Sequence, residues 1–235
     1  MNPLIEQISA ELEACSDPVT RQGSRRFFKE EIMLHGVKSI PVSSISKEYF
    51  KLVKSNSKDE IFALCEELFK TGYFEESIIA CNWAESLHKQ FTTSDFDLFE
   101  HWIDSYITNW ATCDTFCNHT MGAFIEMYPA YLHRLKQYTK SPNRLMRRAA
   151  AVSLIVPARK GLFLQDILEI ADLLLIDRDD LVQKGYGWML KVASQKHQQV
   201  ILNYVMMRKA TMPRTALRYA IEKMPKELRE MAMGR

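Results

Sequence analysis

Residues 181–188 read Leu-Val-Gln-Lys-Gly-Tyr-Gly-Trp. Two other stretches share their order of apolar, basic and small residues: Leu-Met-Arg-Arg-Ala-Ala at 145–150 and Thr-Met-Pro-Arg-Thr-Ala-Leu-Arg at 211–218. Laid side by side, Asp114, Arg148, Lys184 and Thr215 open comparable helices at separations of 34, 36 and 31 residues. A period of this size with two helices per unit is the signature of a helical solenoid of the HEAT type. Small residues such as Ala149 and Gly185 let neighbouring helices approach. The expected fold is therefore all-α, a HEAT-like helical-repeat solenoid with a concave basic surface lined by its inner helices. A single repeat domain is expected over 1–235, with 1–46 forming N-terminal capping helices and 47–235 forming HEAT-like helix pairs.

The rest of the chain agrees with this period. Apolar residues recur at helical spacing over 60–69, 77–88, 96–110, 115–128, 145–156, 164–175, 181–193, 200–207 and 213–224. Stop and start signals separate these stretches, among them Thr71-Gly72, Lys140-Ser141-Pro142-Asn143 and Met212-Pro213. No region alternates with period two for long enough to predict a strand. Eight glycines and eight prolines in 235 residues suit helices joined by short turns better than a hairpin-rich sandwich or barrel. Near the N-terminus, Arg21-Gln-Gly-Ser-Arg-Arg-Phe-Phe-Lys reads as a basic-aromatic helix, and Gly36-Val-Lys-Ser-Ile-Pro as the loop after it.

Composition narrows the class of function. With 47% hydrophobic and 26% charged residues the chain reads as globular. No signal-peptide pattern and no bilayer-length apolar run is present, so no membrane partner is expected. Five cysteines, an odd number, suit free thiols in a reducing, cytoplasmic setting. The net charge of +2 conceals an asymmetry: residues 1–120 carry 11 basic against 19 acidic side chains, and residues 121–235 carry 20 against 10. A C-terminal half of +10 points to a polyanionic partner, or to a solvated basic face.

Common catalytic signatures are absent: there is no phosphate-binding glycine loop, dinucleotide fingerprint, nucleophile elbow or HExxH helix. Cys113, Cys117 and His119 form a metal-like spacing. A fourth ligand is missing from the sequence around them, so packing cysteines are the expected reading and no metal is expected. Four other residues stand out. Trp110 and Asp114 lie four apart and share a helix face. Arg148 and Trp188 follow on later repeats. Singly, each has an ordinary reading as core tryptophan, helix cap or surface ion pair; together on a basic face they form a candidate site.

At these residues the sequence resembles the AlkD-like DNA alkylation repair glycosylases, which are built from HEAT-like repeats. The resemblance is carried by Trp110-Ala-Thr-Cys-Asp114, Arg147-Arg148-Ala149-Ala150 and Gln183-Lys-Gly-Tyr-Gly-Trp188-Met-Leu. Looser matches lie at Phe27-Phe-Lys, Gly36-Val-Lys-Ser and Arg214-Thr-Ala-Leu-Arg218. The resemblance implies a base excision repair enzyme that hydrolyses the N-glycosidic bond of cationic N3- or N7-alkylated purines in duplex DNA. It also implies that the base is not flipped into a protein pocket. Asp114 is implied to stabilise the oxocarbenium-like sugar and orient water, Trp110 and Trp188 to cradle the deoxyribose, and Arg148 to hold a phosphate. DNA-backbone contacts are expected from Arg147, Lys184, Arg214, Arg218, Lys38 and Ser39, with Phe27 beside them. No cofactor is implied, and a monomer is expected. Departures from the family pattern are Asn109, Ala111, Cys113 and Phe27, the last lacking a tyrosine hydroxyl. The alternative reading is a non-catalytic HEAT-like module that binds DNA or serves as a protein scaffold.

Overall fold

The computed structural model describes residues 2–234. The described residues form sixteen α-helices and no strand; β-type pairing is confined to an isolated bridge between Met33 and Tyr73. The helices gather into two compact units that divide after Phe116.

The first unit holds α1 (Pro3–Ala14), α2 (Pro18–Arg25), α3 (Ser39–Val53), α4 (Lys58–Lys70), α5 (Phe74–Ser86), α6 (Asp95–Ser105) and α7 (Trp110–Phe116). Local chemistry sets the starts. Asn2 and Asp17 cap helices that begin with proline, whose missing N–H costs nothing at a first turn. Ser57 and Glu60 form a reciprocal capping box on α4. Helix α5 packs against α1, α3, α4 and α7. The core is aromatic: Phe116 stands edge-on to Phe69 at 6.2 Å and to Phe99 at 5.7 Å, and Phe62 edge-on to Trp102 at 5.6 Å. Trp83 and Trp102 are fully buried.

The second unit starts with a π-helical turn (Cys117–Met121). It continues through α8 (Gly122–Met127), α9 (Leu132–Tyr138), α10 (Arg144–Val152), α11 (Ile155–Arg159), α12 (Leu164–Leu173), α13 (Asp180–Ala193), α14 (Gln198–Arg208), α15 (Arg214–Ile221) and α16 (Lys226–Met233). Within it, α10, α13 and α15 pack side by side in one layer. Helices α9, α12, α14 and α16 back them in a second. This is the paired-helix stacking that the repeat period implied. Gly187 permits the closest step: a Cβ there would lie 2.7 Å from Tyr219 Cβ and 2.8 Å from the Ala216 carbonyl oxygen on α15.

Several boundaries differ from the sequence reading. The stretch 96–110 is not one helix, because α6 ends at Ser105 and the buried Asn109 restarts the chain as α7. The stretch 145–156 is broken after Val152, so Pro157 falls in the separate short α11. Helix α3 begins at Ser39 and runs through Ser46, inside the segment read as a loop and across the expected 46/47 division. The basic-aromatic helix stops at Arg25, leaving Phe27 and Phe28 in a turn and loop. Helices α9 and α16 lie outside the stretches that showed helical periodicity.

No helix among the described residues is long and apolar enough to cross a membrane.

Candidate functional site

In the first unit, Trp110 is the first residue of α7 and Asp114 stands one turn later. The helix starts where it does because Asn109 accepts the Thr112 amide on Oδ1 at 2.9 Å, a side-chain cap. Asn109 therefore has a structural task at a family departure. Cys113 and Phe116 point to the core, which leaves Trp110, Ala111, Asp114 and Thr115 half-buried on the other side. Asp114 is the fifth residue of its helix, so it is not the N-cap of that helix.

The loop at 26–38 lies against Trp110. The indole N–H donates to the Phe27 carbonyl oxygen at 3.3 Å. The Phe28 ring lies 5.8 Å from the indole, tilted by 30°, and itself meets Phe74 edge-on at 5.5 Å. Phe27 points the other way, with 74% of its surface exposed.

A buried polar cluster, which sequence reasoning did not single out, anchors this loop. Successive amides of His35, Gly36 and Val37 donate to the Glu75 carboxylate at 3.0, 2.8 and 3.1 Å. The His35 ring bridges Glu13 at 3.1 Å and Glu76 at 2.8 Å while stacking on Tyr73 at 4.0 Å. Burial pulls His35 toward its neutral form. The hydrogen bonds to Glu76 and Glu13 and the charges of Glu76 and Glu75 outweigh that, so its pKa is raised. Gly36 has φ of +84°, and a Cβ there would lie 2.5 Å from Arg21 Cβ, so only glycine fits. The signal was present as a histidine before a glycine and a Glu-Glu pair opening a helix, but nothing local links the two. The anchored loop delivers Lys38 and Ser39, both exposed, to the start of α3.

In the second unit, Arg148 and Lys184 are the fifth residues of α10 and α13, the place Asp114 occupies in α7. The three share a register but do not open their helices. Arg148 is 5% exposed and its guanidinium bonds the Leu181 carbonyl. Its side chain crosses α13 at Gly185, where a Cβ would lie 3.3 Å from Arg148 Cγ. Trp188 is half-buried on α13, one turn after Lys184, and Lys184 pairs with Asp180 at 3.2 Å. Arg147 is engaged inside the unit: it pairs with Asp177 at 2.7 Å and donates to the carbonyls of Ser141 and Pro142 at 2.9 and 3.0 Å. On α15, Arg214 and Arg218 are exposed; Arg214 reaches the Met233 carbonyl at 3.4 Å, and Arg218 has no ion pair among the described residues.

The charge asymmetry follows the structural division. Residues 1–116 hold 11 basic and 19 acidic side chains, and residues 117–235 hold 20 and 10. Cys113 and Cys117 are buried and His119 is exposed, and no group of three metal-ligating side chains is assembled among the described residues.

Residues 8–224 match the family described as DNA alkylation repair enzyme. The chain belongs to that family. The family's match includes every helix from α2 to α15 that carries a residue considered above. Among solved structures, a chain described as a predicted DNA alkylation repair enzyme from Enterococcus faecalis superposes with a TM-score of 0.79. It has 16% sequence identity, covering 90% of this chain and 97% of that one. At that identity the likeness establishes the all-α helical-repeat fold. No curated protein sequence matches significantly.

Proposed function

We propose that this family member is a monofunctional DNA glycosylase that releases cationic N3- and N7-alkylated purines from duplex DNA. The observation that carries the reading is Asp114: a half-buried carboxylate in mid-helix, one turn from a half-buried tryptophan. An alkylated purine already bears positive charge, so it leaves without being protonated. What remains is the developing cation on the sugar. A fixed carboxylate stabilises that charge and accepts a proton from the attacking water; water adds to C1′, the C1′–N bond breaks, and its electron pair neutralises the departing base. Trp110 and Trp188 offer ring faces to the deoxyribose and its positive charge.

Arg148, held by Leu181, contributes a fixed cationic charge beside the lesion's phosphate. Lys184, Arg214 and Arg218 follow on α13 and α15 and, with Lys38 and Ser39 at the start of α3, contact the DNA backbone. The +10 half supports a polyanionic partner whose binding weakens with salt. Arg147 supports the reading less directly, because its partners are Asp177 and the 141–142 carbonyls.

The test is incubation with duplex DNA containing N7-methylguanine and detection of free base. The wild-type protein releases it, whereas Asp114→Asn loses the reaction by on the order of a hundredfold or more while still binding DNA. Binding without release from the wild type would leave a non-catalytic DNA-binding module instead.

A further inference from the structure

A tryptophan at the first position of a helix has no preceding turn to lean on, so its rotamer is set by whatever packs against it. For Trp110 that support comes from the loop at 26–38. The Phe27 carbonyl takes the indole N–H at 3.3 Å, and Phe28 lies between two rings, 5.8 Å from Trp110 and 5.5 Å from Phe74. Phe74 is itself tied to the loop, since its amide donates to the Met33 carbonyl at 3.0 Å. One backbone turn thus points Phe28 inward and Phe27 outward. The indole N–H is spent inside the protein, so Trp110 offers a substrate ring surface and not a hydrogen bond, and Phe28 fixes the angle at which that surface stands.

We infer that Phe28 is a positioning residue for Trp110, which sets the orientation of the indole against the alkylated nucleotide. The inference rests on the glycosylase reading above. Because a contact through a ring face depends on angle and distance, losing the ring that fixes it lowers the rate more than the affinity.

The experiment compares Phe28→Ala, Phe28→Leu and Phe28→Tyr, each in the wild-type and Trp110→Phe backgrounds. Subtracting the Trp110→Phe spectra isolates the emission of Trp110, and single-turnover release of N7-methylguanine gives the rate. Phe28→Ala is expected to shift Trp110 emission and to slow release by up to about a hundredfold, with affinity for undamaged duplex unchanged. Phe28→Tyr, which keeps the ring, restores both. In the Trp110→Phe background, Phe28→Ala slows release no further, because both changes remove one contact. If Phe28→Ala does not fold, Phe28→Leu carries the same expectations with the apolar bulk retained. Unchanged Trp110 emission, unchanged release, or additive losses in the double variant each overturn the inference while the wild-type enzyme remains active. A wild-type protein that releases no base overturns the glycosylase reading, and the inference falls with it.

Discussion

The Trp110 indole donates its N–H to the carbonyl of Phe27, a residue that is itself 74% exposed. Backbone and side chain of Phe27 therefore do different work, and they can be separated. Phe27→Ala keeps the carbonyl and loses only an exposed ring, so the unfolding free energy should stay within about 0.5 kcal/mol of wild type. If the ring meets DNA, affinity should drop by about tenfold, or ~1.4 kcal/mol. Denaturant unfolding beside a DNA titration reads both, and a large stability loss would place the ring in the fold after all.

His35 makes the first unit sensitive to pH in a definite direction. Its folded pKa is raised by Glu76 and Glu13 against the opposing effect of burial, so the native state holds the proton more tightly than the unfolded chain. That stabilisation is complete below the ordinary imidazole value of 6.5 and is lost as pH rises through the raised value. Glu13, whose hydrogen bond to His35 holds its pKa below the usual 4.5, has the reverse dependence and loses its contribution only in acid. Stability should therefore decline between mildly acidic and mildly alkaline pH, and His35→Gln should flatten that decline. Denaturant midpoints across the range decide it; a wild-type profile as flat as the variant's refutes the proton bridge.

Two glycines of α13 should respond unequally to alanine. At Gly187 the new methyl would meet α15 at 2.7 Å from Tyr219 Cβ and 2.8 Å from the Ala216 carbonyl, and those atoms can yield only by moving the helices. Gly187→Ala should cost about 1–3 kcal/mol of stability. At Gly185 the nearest atoms, at 3.3 and 3.4 Å, belong to the Arg148 side chain, which need yield by only a few tenths of an ångström. Gly185→Ala should be milder, and thermal unfolding of the pair checks the order.

Neighbouring basic residues should part company in salt titrations. Arg218 is exposed, so Arg218→Ala should lower the slope of log affinity against log salt by about 1, with no change in stability. Arg147 is tied to Asp177 and to two carbonyls, and its removal leaves those partners without their donor. Arg147→Ala should destabilise the second unit more than it alters the salt slope. An Arg147→Ala protein of full stability with a reduced slope would reverse that assignment.

The sequence alone determined the helical class and the repeat period, because the spacing of apolar residues along a helix is local and survives any arrangement of the helices. It also determined the charge division, and that Trp110 and Asp114 share a face, since four residues make about one helical turn. It set too much helix across 96–110, where Asn109 reads as an ordinary polar residue until its burial and its bond to Thr112 are seen. Tertiary structure decided which cations are already engaged. Arg147 and Arg148 are adjacent in sequence, yet one is paired with Asp177 and the other is buried under Leu181 and Gly185. It also decided what holds the N-terminal loop, since Glu75 caps amides some forty residues away in sequence and His35 reaches carboxylates on both α1 and α5. Such contacts join residues distant in the chain, and no pattern within a single helix encodes them.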